Sequence, residues 1–118
     1  MVFLEITMKI ALSNRPSAAE VYQNFKGPFL DTIKGAESKQ LLIREEDVQV
    51  LHGFKTLEDA QNYLSSELFT QDVVTSLQPL FEDAPDIRIY QVASLYTTNF
   101  TEPLSYQGSA FLKLPKFP

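Results

Sequence analysis

Cysteine and tryptophan are absent from this chain, histidine occurs once, at position 52, and glycine occurs four times in 118 residues. Without cysteine the chain forms no disulfide, offers no thiolate nucleophile and holds no cysteine-ligated metal. The four glycines stand apart from one another, so a glycine-rich loop that would cradle phosphate is also missing. A reducing compartment fits the lack of cysteine without being required by it, and we expect a cytoplasmic protein.

Positive charge is scarce and scattered. Ten Lys and Arg face fifteen Asp and Glu, which gives a net charge of −5. Phosphate binding needs a clustered positive field, so nucleic acid is not expected as a partner. No stretch approaches the ~20 apolar residues that span a bilayer. The opening MVFLEITMKIAL lacks a basic segment before its apolar part, which argues against a secretory signal and against a membrane partner.

The stretch Asp47–Val92 organises the chain, because its hydrophobic period changes twice. The run DVQVLHGF alternates and predicts a strand over 48–54. Thr56 and Asp59 form a capping pair that opens a helical pattern. After Pro85 the pattern turns β-rich again and predicts a strand over 87–92. With 44% apolar residues, the whole chain has the composition of one globular domain.

The first half contains a strand, a helix and another strand. Apolar residues alternate over 2–12, which predicts a strand with one buried face and a second face of mixed polarity. A helical stripe follows over 16–33, and Gly27-Pro28 within it predicts a kink or two short helices. Lys34-Gly35 predicts the helix end. The next strand is predicted over 39–44.

The predicted order βαββαβ defines the fold class. Two βαβ halves with right-handed crossovers give an α+β, ferredoxin-like fold: a four-stranded antiparallel sheet with both helices on one face. The other face has no helix to cover it, yet Phe3 and Ala11 must point that way. We therefore predict a homodimer in which two sheets face each other.

Residues 94–118 lie beyond this 1–93 domain. They are too apolar for a disordered tail, and Pro103, Pro115 and Pro118 discourage a helix. We predict an ordered, extended C-terminal arm that packs on its own domain or on the partner subunit.

The chain resembles the dimeric α+β barrel superfamily, in particular its antibiotic biosynthesis monooxygenase-like group. The resemblance lies in the βαββαβ order, in HGFKTLEDAQNYLSSELF as a strand that leads into a helix, and in PLFEDAPDIRIYQV as the return. It covers roughly residues 2–93. It implies a ligand pocket between helices and sheet, in a scaffold that carries cofactor-independent oxygenases, haem-degrading enzymes, isomerases and proteins of no known activity.

The haem-degrading branch fits this chain least. Its pattern places Asn on the first strand, Trp near the end of the third and His on the second helix. Here the first strand has no Asn, the chain has no Trp, and the second helical region has no His. Phe54 stands at the Trp-like place. The resemblance therefore does not imply haem degradation.

His52 is the first candidate for a general acid or base, because it is the sole histidine. A plain alternative is an imidazole at a strand end that is hydrogen-bonded or partly wet. We expect it near the rim of a pocket or at the dimer seam. A metal site would need carboxylates, and Glu45, Glu46 and Asp47 are better explained as a solvated turn. No metal is predicted.

Large aromatic residues are the other candidates for ligand contact. Tyrosine hydroxyls reach interior pockets and need a partner there, while phenylalanines supply apolar walls. Aromatics at helical spacing also occur as plain core, and that alternative stays open. The predicted ligand-binding set is Tyr22, Phe25, Phe54, Tyr63, Phe69 and Tyr90.

Three functions from different classes remain open. One is a cofactor-independent monooxygenase that acts on a small aromatic or polyketide-like molecule, with the substrate supplying a carbanion and the protein a base and a dry pocket. Another is a non-catalytic dimer that binds a small apolar molecule. A third is a structural dimer with a filled core. An open cavity with a polar group aimed into it distinguishes the first two from the third.

Overall fold

The computed structural model of the chain describes residues 1–93. Its four strands are β1 (Val2–Met8), β2 (Ala36–Ile43), β3 (Val48–Phe54) and β4 (Asp86–Gln91). Its helices are α1 (Arg15–Thr32), α2 (Leu57–Leu64) and α3 (Val74–Leu77), with a π-helical segment over Leu68–Val73 and 3-10 turns over Leu12–Asn14 and Gln78–Leu80.

All four strands pair antiparallel, in the spatial order β2-β3-β1-β4. This order places the two strands that are farthest apart in sequence, β1 and β4, side by side, as the ferredoxin-like arrangement requires. Leu4 lies opposite His52 on β3 and opposite Ile89 on β4. The predicted α+β fold class is confirmed, with β1 ending at Met8 instead of residue 12, β2 beginning three residues earlier than expected and β4 one residue earlier.

Alternation along β1 and β3 decides which side chains enter the core. Val2, Leu4, Ile6 and Met8 are buried, and the residues between them are half-buried. On β3 the buried side chains of the same face are Val48, Val50, His52 and Phe54, and Gly53 on the opposite face is buried as well. These eight side chains form the sheet's contribution to the core beneath the helices, as the period-two pattern predicts.

Helix α1 runs without a break through Pro28. The expected alternative of two short helices is therefore wrong. Proline cannot donate to the carbonyl one turn earlier, and the hydroxyl of Thr32 donates to the Pro28 carbonyl at 2.7 Å in the following turn. The helix ends at Thr32, just before the predicted Lys34-Gly35 signal, and Gly35 has a left-handed φ of 78° in the turn that follows. A Cβ there would overlap the Asp59 carboxylate.

Two polar contacts fix the ends of the helices. The hydroxyl of Thr56 accepts a hydrogen bond from the Asp59 amide at 3.1 Å, which confirms the predicted cap of α2. Arg15, at the start of α1, donates from Nε to the Ile10 carbonyl at 3.1 Å, from Nη1 to that of Arg44 at 2.7 Å and from Nη2 to that of Glu45 at 2.8 Å. One guanidinium thus ties the start of α1 to the segment that follows β1 and to the β2–β3 turn.

The second face of the sheet carries no helix among residues 1–93. In its central row Gly53, Phe3 and Tyr90 lie side by side on β3, β1 and β4. Phe3 and Leu51 are half-buried, and Tyr90 is 46% exposed. We refer to this surface as the open face. Its pairing with a second subunit remains a prediction.

Two further predictions concern the C-terminal arm and membrane-spanning segments. The C-terminal arm, 94–118, lies outside the described residues. Within residues 1–93, none of the helices has the length and apolar character needed to cross a membrane.

Candidate functional site

A cavity of about 530 Å³ lies between the helices and the sheet. Its walls come from all four strands on one side, from α1 on another, and from the π-helical segment with α3 on the third. Apolar side chains dominate the lining. They are Ile6, Met8, Ala18, Val21, Phe25, Leu41, Val48, Val50, Phe69, Val73, Val74, Leu77, Phe81, Ala84, Pro85 and Ile87.

The third wall follows a four-residue spacing. Phe69, Val73 and Leu77 are all buried and all line the cavity. Side chains four apart stack on one face of a helix, and here the π-helical turns lead directly into α3. The four-residue spacing is visible in the sequence, whereas the π geometry of Leu68–Val73 is not.

His52 is part of the cavity wall and is only 2% exposed. Its Nδ1 lies 3.0 Å from the Leu4 carbonyl oxygen. Since a carbonyl only accepts, Nδ1 carries the hydrogen and Nε2 of the neutral ring is left as an acceptor. Burial, together with the charge of Lys39, lowers the pKa of His52 to about 3 despite that hydrogen bond. The imidazole is therefore neutral at physiological pH and sits in the interior rather than at a rim.

Behind His52 lies a packed aromatic cluster. Phe29 meets His52, Phe54 and Tyr63 edge-on, with ring centroids 5.2, 5.5 and 5.0 Å away. Phe29 and Phe54 are completely buried. The hydroxyl of Tyr63 is buried without a hydrogen-bond partner among residues 1–93, and burial raises the pKa of Tyr63. This cluster supports the histidine from the core side and is not part of the cavity wall.

Lys39 is the residue that the sequence interpretation missed. It lines the cavity and is 5% exposed. Its Nζ lies 5.3 Å from the Phe29 ring centroid and 5.6 Å from that of Tyr22. Burial, and secondarily the charge of Lys26, lowers the pKa of Lys39 to about 8. Strand parity was the available signal, because Lys39 shares its face of β2 with Leu41, which also lines the cavity.

The other polar residues that line the cavity lie either in its interior or at its opening. Tyr22 is buried, and its hydroxyl donates to the Lys39 backbone carbonyl at 2.7 Å. Gln78, Glu82 and Asp83 also line the cavity but are exposed to solvent. The cavity thus has a cationic, aromatic interior and an acidic mouth.

The structure brings some of the predicted site residues together and not others. Tyr22, Phe25 and Phe69 line the cavity with His52. Phe54 and Tyr63 lie in the cluster behind the histidine. Tyr90 is on the open face, where it pairs with Phe3. The placement of Tyr90 near the interior is corrected by the alternation in β4, which sends Ile87 and Ile89 toward the helices and Tyr90 away from them.

The acidic turn is solvated at Glu45 and Glu46, as expected, but not at Asp47. Asp47 is buried and accepts from Arg44 Nε and Nη2 at 2.8 Å each, and from Gln49 at 3.1 Å. The hydrogen bond with Arg44 is the main reason why the pKa of Asp47 falls to about 2. Among residues 1–93 no group of three or more Asp, Glu or His side chains is arranged to hold a metal ion.

No protein-family model and no curated protein matches this sequence. Solved structures do match in fold. A structure from Nitrosomonas europaea, provisionally assigned as an antibiotic biosynthesis monooxygenase, superposes with a TM-score of 0.68 at 10% identity, over 79% of this chain and 99% of that one. A structure from Caulobacter crescentus with the same provisional assignment has a TM-score of 0.68 at 14% identity, over 78% and 89% of the two chains.

A protein of unknown function from Bacteroides thetaiotaomicron, suggested to be an oxidoreductase, superposes with a TM-score of 0.63 at 16% identity, over 77% of this chain and 96% of that one. Identities this low establish the fold and leave activity open. The chain therefore has the ferredoxin-like α+β fold of the antibiotic biosynthesis monooxygenase-like proteins.

Proposed function

We propose that this protein binds a small aromatic or polyketide-like molecule in the cavity between sheet and helices and oxidises it with O2, without a bound cofactor. The observation that carries the proposal is the cavity itself, an apolar space of about 530 Å³ with the neutral His52 in its wall. Sites for small molecules are concave, mostly apolar and equipped with a few placed polar groups. The provisional monooxygenase assignment of its structural neighbours supports the same direction.

The reaction needs no electron donor other than the substrate. A C–H bond next to an electron-rich ring breaks, its electron pair stays on carbon, and the carbanion reduces O2. The balance is R–CH2–R′ + O2 → R–CO–R′ + H2O, in which the carbon is oxidised and O2 is reduced. A dry cavity favours this step because it keeps solvent protons away from the carbanion.

His52 is the proposed catalytic residue. With its hydrogen at Nδ1 committed to Leu4, Nε2 remains as the acceptor for a substrate proton. Its pKa near 3 makes it a weak base in the empty cavity. Proton transfer is then favoured by the substrate anion that forms beside the imidazolium, since opposite charges in a dry site stabilise each other.

Oxygen uptake with electron-rich anthrone-type substrates tests the proposal. His52→Ala should lower turnover by ~10²-fold or more, as loss of a general base does. Tyr90→Phe, on the open face, is the matched control and should leave turnover unchanged. Absence of oxygen uptake by the unaltered protein across such substrates would contradict the oxygenase proposal.

A non-catalytic binding protein is the second candidate, and the low pKa of His52 favours it. A histidine that stays neutral down to about pH 3 serves as a fixed hydrogen-bond acceptor as readily as it serves as a base. In that case His52→Ala leaves the affinity for apolar ligands nearly intact. Calorimetric titration of the wild-type protein and this variant, together with oxygen uptake by the wild-type protein, separates the two candidates, since the second predicts binding without oxygen uptake.

We also propose that the protein is a homodimer whose open faces meet. Phe3, Leu51 and Tyr90 leave a partly apolar surface on the sheet, and a stable interface buries more than ~1,000 Å². Light scattering should give twice the 13.4 kDa of one chain. Leu51→Lys should dissociate the dimer, whereas Leu12→Lys, at an exposed position away from the sheet, should not. A wild-type mass of one chain at micromolar concentration contradicts the proposal.

A cytoplasmic location remains part of this proposal, supported by the lack of cysteine. Cell fractionation tests it, and recovery of the protein outside the cytoplasmic fraction contradicts it.

A further inference from the structure

Lys39 places a cation in the interior of the cavity, and no anionic side chain among residues 1–93 pairs with it. Lys39 is 5% exposed, yet its ammonium forms no salt bridge and no hydrogen bond with any of residues 1–93. Its neighbours are the faces of Phe29 and Tyr22, 5.3 and 5.6 Å from Nζ to the ring centroids. Aromatic faces attract a cation but do not replace a counterion. Because Lys39 lines the cavity and its ammonium has no ion-pair partner among residues 1–93, that ammonium is available to an anion bound in the cavity.

The charged groups around Lys39 do not supply that partner. Lys26, on α1, places its own Nζ 5.6 Å from the Tyr22 ring centroid and repels Lys39. His52 lies directly opposite Lys39 on β3 and is neutral. The Tyr22 hydroxyl is committed to the Lys39 backbone carbonyl. Glu82 and Asp83 lie at the exposed mouth.

We propose that Lys39 is the specificity-determining residue of the cavity, and that the bound ligand is an aromatic weak acid, an enol or phenol, held as its anion against the Lys39 ammonium. The inference rests on the proposed function in one respect, that the cavity binds a ligand. It does not require that the ligand be oxidised.

The acidic mouth explains why the ligand is a weak acid rather than a permanent anion. Glu82 and Asp83 repel a carboxylate or a phosphate before it reaches the interior. An enol or phenol passes them neutral and loses its proton only beside the cation. The walls of Phe25, Phe69 and Val73 then hold the flat apolar part of the molecule.

The proton and its electron pair are accounted for in this step. The ligand O–H bond breaks and its electron pair stays on oxygen. The proton goes to the amine of Lys39, or to solvent where that amine is already an ammonium. The amine is suited to either state, since its pKa of about 8 lies close to neutrality. An aromatic oxyanion is also electron-rich, which is the form that oxidation by O2 would need.

The experiment measures which ionic form of 1-naphthol is bound. Its hydroxyl has a pKa near that of tyrosine, about 10, so it is neutral in solution at neutral pH. Its absorption spectrum distinguishes naphthol from naphtholate in the ground state. Bound to the wild-type protein it should absorb as naphtholate, with release of protons to an unbuffered solution. 1-Methoxynaphthalene, which cannot ionise, and 1-naphthoate, a permanent anion, are the matched ligands.

Lys39→Met keeps the length of the side chain and removes the charge. It should bind 1-naphthol as the neutral species and about 10- to 100-fold more weakly, as loss of a charged hydrogen-bond partner predicts. Its affinity for 1-methoxynaphthalene should stay within about 2-fold of the wild-type value, which also verifies that the cavity is intact. Lys26→Met, beside the same Tyr22 ring, is the control variant and should still bind naphtholate.

Four outcomes overturn the inference. The first is the spectrum of neutral naphthol in the wild-type protein, and the second is an equal loss of affinity for 1-naphthol and 1-methoxynaphthalene in Lys39→Met. The third is tighter binding of 1-naphthoate than of 1-naphthol, and the fourth is no binding of any of the three ligands. Naphtholate formation without oxygen uptake by any substrate supports the inference and contradicts the oxygenase proposal. A failure of the inference about Lys39 is therefore distinguishable from a failure of the oxygenase proposal.

Discussion

The two faces of this sheet place their side chains in different surroundings. On the helix-covered face, side chains such as Leu4 and Phe54 are completely buried, and a lysine and a histidine are buried with them. On the open face, Phe3 and Leu51 are half-buried, and the charges of Arg88 and Asp86 remain in water. The face whose apolar side chains are better buried is thus also the face that buries Lys39 and His52, whose burial costs free energy. Under the proposals above, the covered face binds the ligand and the open face forms the dimer interface.

Large-to-small substitution at phenylalanines of the two faces should give the largest contrast. Phe54→Ala should lower the free energy of unfolding by about 3–5 kcal/mol, because it leaves a cavity in packed core. Phe3→Ala should cost about 1 kcal/mol, since Phe3 is half-buried. Urea unfolding at two protein concentrations measures both.

The concentration dependence sharpens this contrast. If the open faces meet in a dimer, the cost of Phe3→Ala should grow with protein concentration, while that of Phe54→Ala should not. Equal costs for the two variants would mean that the faces do not differ as described.

Low pH should lower the stability of the folded protein, because His52 is buried in its neutral form on the covered face. The pKa of His52 is about 6.5 when unfolded and about 3 when folded, so its contribution is complete above pH 6.5. As pH falls from 6.5 toward 3, the unfolded state gains a proton that the folded state does not take. Stability should then decrease by about 1.4 kcal/mol per pH unit at most.

His52→Phe is the variant that isolates this effect. It should flatten the decline between about pH 6 and 4, apart from what the carboxylates contribute. Urea midpoints across that range provide the measurement. A decline equally steep in both proteins would assign the acid sensitivity to other groups.

Lys39→Met should stabilise the empty protein at neutral pH, by about 1–3 kcal/mol, because it removes a buried charge that lacks an ion-pair partner. The pKa of Lys39 is about 8 when folded and 10.5 when unfolded. The charge therefore penalises the folded state most below pH 8, and the gain from the substitution should shrink as pH rises toward 10.5.

Lys55→Met, at an exposed position, is the control for that gain. Thermal unfolding of both variants at neutral and alkaline pH measures the difference. A destabilised Lys39→Met protein would mean that the ammonium has a partner in the empty protein and that the covered face carries no unpaired charge.

The smallest effect is expected on the open face at its charged pair. Asp86 lies 3.0 Å from Arg88 Nε, and both side chains are more than half exposed. Solvent screens such a pair. At a protein concentration low enough to keep the chain monomeric, Asp86→Asn should leave the urea midpoint within experimental error. A measurable loss would indicate that the pair is shielded, as it would be within an interface.

Periodicity was enough to predict most of the fold. The alternation of β1 and β3 and the four-residue stripes of the helices define faces by geometry alone, and the structure follows them. Pro28 was misjudged because local propensity predicts a break, whereas the packing of Ala18, Tyr22 and Phe29 holds α1 as one helix.

The site was harder to predict, because several of its residues lie in environments that are unusual for their residue type. Lys39 is a charged residue in a strand of mixed pattern, AESKQLLI, and charge suggests a surface position. Only its parity with Leu41 places it inside. Tyr90 was placed wrongly because residue type was weighed above strand parity. The burial of His52 against Leu4 depends on strand pairing, which a single sequence does not reveal.

The contacts of Arg15 have a consequence for how this sequence can diverge. Its guanidinium binds the backbone carbonyls of Ile10, Arg44 and Glu45, so it recognises the path of the chain and not the side chains along it. Substitutions of Glu45 and Glu46 in the β2–β3 turn leave those carbonyls in place. An inserted or deleted residue moves them. In a randomised library of this turn, composition should vary widely while length stays constant.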